Sequence, residues 1–273
     1  MADRALLVGI NAYPDAPLSG CVNDVSDMAE FLVEHRDFDP EGIRMLTDKR
    51  ATTKAILERL QWLVKGAKAG DRLVYHYSGH GVQIPARNPK GEVDGLDECS
   101  CPVDFDWEEK VIRDDDYVKL FSTLPKGVKM LWVSDSCHSG NATRSLGSLP
   151  PKAPRPKFMV PPADIAWRFR AIARKGIEVK AKFPETVARG PTLPLVYLSG
   201  CKSTQTSADA WFGDRPNGAL TYYLLRALEA PHGLKEPMRE VLKGVRSALK
   251  RNDYAQVPQL EGLTSAFALP LLG

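Results

Sequence analysis

The chain has 273 residues, 43% hydrophobic and 26% charged, which suits a soluble globular protein that buries a full core as one large domain or two small ones. Its five cysteines, Cys21, Cys99, Cys101, Cys137 and Cys201, are odd in number and scattered, which argues against a secreted disulfide framework and for reduced thiols. The net charge of +3 hides an uneven distribution: residues 141–191 hold eleven of the 37 Lys/Arg, three of the 34 Asp/Glu and eight of the 21 prolines, so the remainder is net acidic.

In chain order, residues 5–10 read as a buried strand, and 22–35 as a helix with Val25, Met28, Ala29 and Leu32 on one face and Asn23 as N-cap. A short strand over 43–46, a helix over 53–65 behind a Thr cap, and strands over 73–77 and 130–133 follow. This alternation is the βαβ rhythm of a mostly parallel sheet, hence the α/β class. Pro150-Pro151, Pro154-Arg155-Pro156 and Pro161-Pro162 cannot continue a helix or a central strand, so the basic segment begins as an exposed connector. Its charge reads first as a solvated loop and only weakly as a nucleic-acid or membrane surface. A strand over 195–199, a helix over 219–230, a helix opened by Pro237 with Met238, Val241, Leu242, Val245 and Leu249 on one face, and an apolar stretch over 266–272 complete the chain. The run at 5–10 is too short for a signal-peptide core and no run is long enough to span a bilayer, so the expectation is a cytoplasmic protein with no membrane and no nucleic-acid partner.

Two short stretches carry chemistry. Tyr77-Ser78-Gly79-His80-Gly81 and Asp135-Ser136-Cys137-His138-Ser139-Gly140 each follow an apolar strand, placing His80 and Cys137 at strand ends, where α/β sheets hold their sites. An imidazole beside a thiol raises the thiolate fraction and carries the proton to a leaving group. His138, next to the nucleophile, and His76, inside the strand, compete with His80 for the role of base. A lone buried cysteine is more often structural, but the strand before Cys137 and the Ser and Gly after it favour a nucleophile. No third residue of a triad is apparent.

The stretches Val8-Gly9-Ile10-Asn11-x-Tyr13, Ser19-Gly20-Cys21-Val22-Asn23-Asp24, Asp94-Gly95-Leu96-Asp97-Glu98, Pro102-Val103-Asp104-Phe105, Ser199-Gly200-Cys201, Gln205-Thr206-Ser207-Ala208-Asp209 and Gln256-x-Pro258-Gln259-Leu260-Glu261-Gly262, with the two above, resemble the metacaspases and orthocaspases along the whole chain. The resemblance implies a caspase-like fold with a large-subunit-like part over 1–143, a cleavable connector over 144–190, and a small-subunit-like part over 191–273 that completes the same domain. It also implies a Cys137/His80 dyad, an oxyanion hole from the backbone N–H groups of Gly81 and Cys137, and a primary pocket at Cys21, Asp24, Ser78 and Asp135. Two pocket carboxylates call for a cation, so cleavage after Arg or Lys is expected in protein or peptide substrates. Read locally, Asp24 is equally a first-turn acid on a helix dipole. A catalytically inactive binding scaffold and a caspase cutting after Asp stand as alternatives.

No cofactor is needed for such chemistry. Calcium is a family feature, and Asp97, Asp114 and Asp115 match its ligand positions with hard oxygen donors. Arg144 stands where a fourth carboxylate is expected and argues against it, and Asp114-Asp115-Asp116 also reads as a solvated helix start. Cys99-x-Cys101 has no second pair to make a zinc site. The family further implies a monomer, and the basic connector close after the nucleophile, which carries Arg144, Lys152, Arg155, Lys157, Arg168, Arg170, Arg174 and Lys175, makes self-cleavage expected somewhere between Arg144 and Arg189. Arg144 and Lys152 look least hindered, Pro156 protects the bond after Arg155, and Arg168, Arg170, Arg174 and Lys175 fall on an expected helix.

Overall fold

The computed structural model describes residues 1–85, 96–138, 150–174, 195–202, 205–262 and 264–272. The chain runs β1 (Asp3–Gly9), α1 (Cys21–Arg36), β2 (Ile43–Thr47), α2 (Thr53–Val64), β3 (Arg72–Ser78), β4 (Gly81–Pro85), β5 (Leu96–Ser100), β6 (Ile112–Arg113), α3 (Asp114–Phe121) and β7 (Lys129–Asp135). It continues through β8 (Arg155–Pro156), α4 (Ala163–Arg174), β9 (Leu195–Ser199), β10 (Ala208–Phe212), β11 (Arg215–Gly218), α5 (Ala219–Glu229), α6 (Met238–Arg251), β12 (Gln259–Gly262) and α7 (Thr264–Phe267).

Alternation within the apolar runs decides the layers. Leu6 and Val8 of β1, Leu73, Tyr75 and Tyr77 of β3, and Met130 and Trp132 of β7 face one way, onto Ile56, Leu60 and Leu63 of α2 and Tyr117 and Phe121 of α3. Ala5, Leu7, Val74, Leu131 and Val133 face the other way, onto α1, α5 and α6. With both faces covered, the strands read as continuous apolar runs rather than alternating ones. The six-stranded sheet has the order β12-β9-β7-β3-β1-β2, parallel except for β12 at one edge. Strands from before and after the connector therefore share one sheet.

Two small antiparallel sheets, β4-β5-β6 and β8-β10-β11, stand beyond the carboxyl ends of the central strands. Neither is evident from periodicity, because the strands are short, two to five residues each, and β8 pairs with a segment some fifty residues away. Two sequence expectations need correction. Gly20, not Asn23, caps α1; Asn23 lies inside the helix and its amide donates to the Pro216 carbonyl. The connector does not begin as an exposed tract throughout: Arg155–Pro156 pairs with Ala208 and Asp209, and Lys157 is fully buried. Proline is admissible there because β8 is a two-residue edge strand.

Candidate active site

The parallel register puts Gly9, Ser78 and Asp135 in one row at the ends of β1, β3 and β7. Gly9 admits the start of α1, since a side chain there would overlap the Cys21 carbonyl and the Val25 side chain. His80 and Cys137 each lie two residues beyond this row, on adjacent loops.

His80 is fixed from several sides. Its Nε2–H donates to the Ala16 carbonyl at 2.7 Å, which leaves Nδ1 as the unprotonated nitrogen. Nδ1 has no hydrogen bond among the described residues, and the Lys157 carbonyl lies near enough to act on the ring. The ring packs on Tyr13 with centroids 4.6 Å apart; the Tyr13 hydroxyl accepts the His80 backbone N–H at 3.1 Å, and the Tyr77 hydroxyl donates to the His80 carbonyl at 2.7 Å. Burial pushes the imidazole down to about 4, with the Ala16 carbonyl opposing, so it is neutral at physiological pH and able to take a proton. The group that orients it is a backbone carbonyl, which no residue type announces.

Cys137 is fully buried; its Sγ accepts the Ser207 N–H and lies 3.5 Å from the Ser207 carbonyl. Cys201 Sγ–H donates to the Gln205 carbonyl at 3.2 Å, and the neighbouring Cys137, with burial second, pushes the Cys201 thiol up, so Cys201 keeps its proton. The competing histidines are engaged elsewhere. His76 Nε2 meets Thr221 Oγ1 at 3.2 Å. His138 is turned to the carbonyls of Cys99 and Val82, with burial holding it down at about 4.

The four residues expected to form the pocket converge, and all four are fully buried. Asp24 comes from the first turn of α1, and its carboxylate accepts Ser78 Oγ–H at 2.6 Å, Asn217 Nδ2–H at 3.0 Å and Gly218 N–H at 2.8 Å. Asp135 accepts Ser207 Oγ–H at 2.7 Å and the Thr221 N–H and Oγ–H at 2.9 and 2.8 Å. Gly218 completes the wall, for a Cβ there would overlap both carboxylates and whatever lies between them. Ser207, Asn217, Gly218 and Thr221 escape sequence reading because they serve through backbone groups, small hydroxyls or, at Asn217, a side-chain amide. In the sequence, Ser207 stands out only within the family motif Gln205-Thr206-Ser207-Ala208-Asp209.

The cation between the carboxylates is Lys157 of the same chain. Its Nζ lies 3.2 Å from Asp24, 3.2 Å from Asp135 and 2.9 Å from Ser78 Oγ. Burial alone would lower the ammonium, but Asp135, Cys21 and Asp24 outweigh it and hold it well above the ordinary lysine value. The Lys157 carbonyl accepts both Gly81 N–H at 3.1 Å and Cys137 N–H at 3.2 Å, the two donors expected to form an oxyanion hole.

Asp97 sits apart, its carboxylate paired with the buried Arg113 guanidinium, while Asp114 Oδ1 accepts the Asp115 N–H at 2.8 Å. Burial and the charge of Asp97 push the Asp115 carboxyl up. Among the described residues no three carboxylate, His or Cys side chains converge as a metal would require. Arg144, Arg189 and Lys175, with Ser139 and Gly140, lie outside the described residues. Arg168 and its neighbours fall on α4, as the sequence suggested. No helix among the described residues is long and apolar enough to cross a membrane.

Residues 3–145 match a family model described as metacaspase, peptidase C14 domain. The chain is 33% identical over 293 residues to Metacaspase-1 of Yarrowia lipolytica, covering 94% of this chain and 60% of that protein. To Metacaspase-1B of Aspergillus oryzae it is 34% identical over 284 residues, covering 94% and 67%. It thus spans about 60–67% of the length of these two relatives. A crystal structure of a protein from Geobacter sulfurreducens is similar at a TM-score of 0.67 and 29% identity, covering 98% of this chain and 97% of that one.

Proposed function

The chain belongs to the metacaspase family, and from that premise we propose that it is a cysteine endopeptidase that cuts after Lys or Arg, using Cys137 as nucleophile and His80 as general base and acid, and that it processes its own connector. The observation that carries this reading is Lys157, whose side chain fills the two-carboxylate pocket while its carbonyl meets the Gly81 and Cys137 N–H groups.

On this reading a substrate Lys or Arg takes the place of Lys157. Cys137 Sγ attacks the carbonyl carbon as His80 Nδ1 takes the thiol proton, and the oxygen's developing charge falls on the two N–H groups, whose loss typically costs about 3 kcal/mol. His80 gives the proton to the departing amine, then activates the water that releases the acyl group from sulfur. The Ala16 carbonyl keeps the imidazole aligned and stabilises its protonated form. Each step uses a group of the chain itself. Cleavage after Asp is disfavoured because Asp24 and Asp135 would repel a third carboxylate, and an inactive scaffold because both members of the dyad stand at the same sheet end. We further propose that the active form is a monomer in the cytoplasm acting on protein substrates.

The test is incubation with fluorogenic peptides ending in Arg, Lys or Asp, beside the Cys137→Ala chain. Cleavage of the Arg and Lys peptides by wild type alone is expected; preference for Asp, or turnover that survives in Cys137→Ala, overturns the assignment.

A further inference from the structure

Lys157 is placed as a substrate on both sides of its carbonyl. Before it, Arg155–Pro156 runs antiparallel to β10, and the Lys157 N–H donates to the Ser207 carbonyl at 3.0 Å. After it, Phe158 bridges to Gly81 and the Met159 N–H reaches the Gly81 carbonyl at 3.4 Å. An extended strand lying through the cleft with one residue's side chain in the pocket and its carbonyl on two N–H donors is the posture of a scissile residue. Residue 157 is also covalently linked to Cys137 through a short stretch of the same chain, so no second copy is required.

The two sides are held unequally. The leading side has the pocket, the β10 pairing, Arg155 Nη1–H donating to the Pro17 carbonyl at 2.9 Å, and Lys152 at 2.9 Å from Asp214 and 4.9 Å from the centre of the Trp211 ring. The trailing side makes no ion pair among the described residues and is held by the two backbone contacts to Gly81, by Met159 packed on the apolar cluster that includes Val82 and Ile84, and by α4, with Ile165 buried, against β4. Hydrolysis would turn the Lys157 carbonyl into a carboxylate facing the same two N–H groups, which makes those hydrogen bonds charge-assisted and stronger. The leading strand remains tethered near Cys137 at an effective concentration of order mM.

Building on the proposed peptidase reading, we propose that Lys157–Phe158 is the bond the chain cuts first, in cis, and that the strand ending at Lys157 stays in the cleft as a tethered product that restrains the enzyme after the cut. Cys137 Sγ bonds to the Lys157 carbonyl carbon, the C–N bond to Phe158 breaks, and the Phe158 amine leaves with the proton carried by His80. Water then replaces sulfur, giving a Lys157 carboxylate and the restored thiol.

Intact mass locates the cut: the expected fragments are 1–157 and 158–273, forming at a rate unchanged on hundredfold dilution. The two-chain protein is then treated with a carboxypeptidase specific for terminal Lys and Arg, and turnover of a fluorogenic Arg peptide is followed. Removal of Lys157 empties the pocket and should raise turnover about tenfold or more. Lys157→Ala, checked for folding by its melting temperature, should be uncut at 157 and active on the Arg peptide from the start. A principal cut elsewhere, a rate that scales with concentration, or a cut form that gains nothing from trimming overturns the proposal while leaving the peptidase reading intact. If neither the trimmed form nor Lys157→Ala turns over the Arg peptide, the peptidase reading itself fails.

Discussion

Asp24 and Asp135 face the same ammonium yet shift in opposite directions. Burial dominates at Asp24 and lifts it to about 6 despite Lys157. At Asp135 burial is outweighed by Lys157 and by the hydrogen bonds from Ser207 and Thr221, so it stays below the usual carboxylate value. Asp24 is therefore the pocket group that titrates in a working range. With Lys157 seated, Asp24 takes a proton as pH falls through about 6; once Lys157 leaves, its lowering influence goes with it, so KM for an Arg peptide should rise from about that pH or somewhat above it as the pocket loses one charge. His80, pushed down to about 4, should govern kcat only at lower pH. Since a hydrogen bond to a charged group is worth about 1.5–3 kcal/mol, Asp24→Asn should lower kcat/KM about 10- to 100-fold at pH 7.5 and remove the KM limb near pH 6. An unchanged limb in that variant would show that another group titrates. The dyad behaves differently from the pocket: Cys137→Ala and His80→Ala should each cost about 10³-fold or more, because members of one catalytic unit are lost nearly whole. His138→Ala and Cys201→Ala, which touch the site without carrying its proton, should keep most activity; a loss equal to that of His80→Ala would move the base to another residue. His80 and Cys137 were legible as residue types just beyond apolar strands, whereas Asp24, in the first turn of α1, and Asp135 were named as a pair only through the family resemblance. Ala16 and Lys157 were not legible, since one acts through its carbonyl and the other is one basic residue among eleven in its segment.

Among elements, the long parallel strands and their helices were legible because an apolar run buried on both faces, or a 3.6-residue stripe, is a local property. Thr52 caps α2, its Oγ1 accepting the Ala55 N–H at 3.3 Å, and Pro237 precedes α6 as expected. The short antiparallel sheets were not legible, because β8 acquires its strand character from β10, some fifty residues away. β5 and β6 likewise depend on each other, and the buried Asp97–Arg113 pair joins them. Removing one member of a buried pair leaves the other charge uncompensated, at a cost of about 3–5 kcal/mol. Asp97→Ala should therefore lower stability by roughly that amount in denaturant unfolding at pH 7. A loss below about 1 kcal/mol would mean that water reaches Arg113. The same pair bears on calcium: with Asp97 committed to a guanidinium, peptide cleavage should be little changed by chelator. Activity that vanishes in chelator and returns only with calcium would mean that Asp97 exchanges Arg113 for the ion.

At the scale of the whole molecule, the parts before and after the connector share one sheet and one apolar layer, so a cut in the connector would not by itself divide them. β9 lies after the connector yet pairs in parallel with β7 from Met130↔Leu195 to Ser134↔Ser199, and β12 closes the sheet beyond it. On one face α1 packs beside α5 and α6 in a single apolar cluster containing Val25, Met28, Leu220, Leu224 and Val245, so the buried surface crosses from the first part to the last. Asp209 adds polar ties, accepting the Ser19 and Gly20 N–H groups at 2.7 and 2.8 Å across 190 residues of sequence. Even the pocket is composite: Asp24 and Asp135 come from before the connector, Gly218 and Thr221 from after it. Separation of the two fragments would expose a central strand, strip one apolar helical layer and dismantle the pocket, whereas cleavage of one connector bond removes none of these contacts. The cut protein should therefore elute as one species near 30 kDa in size-exclusion chromatography with light scattering, and its fragments should part only in denaturant. If the 158–273 fragment leaves the column by itself under native conditions, the shared sheet is not what holds the cleaved enzyme together.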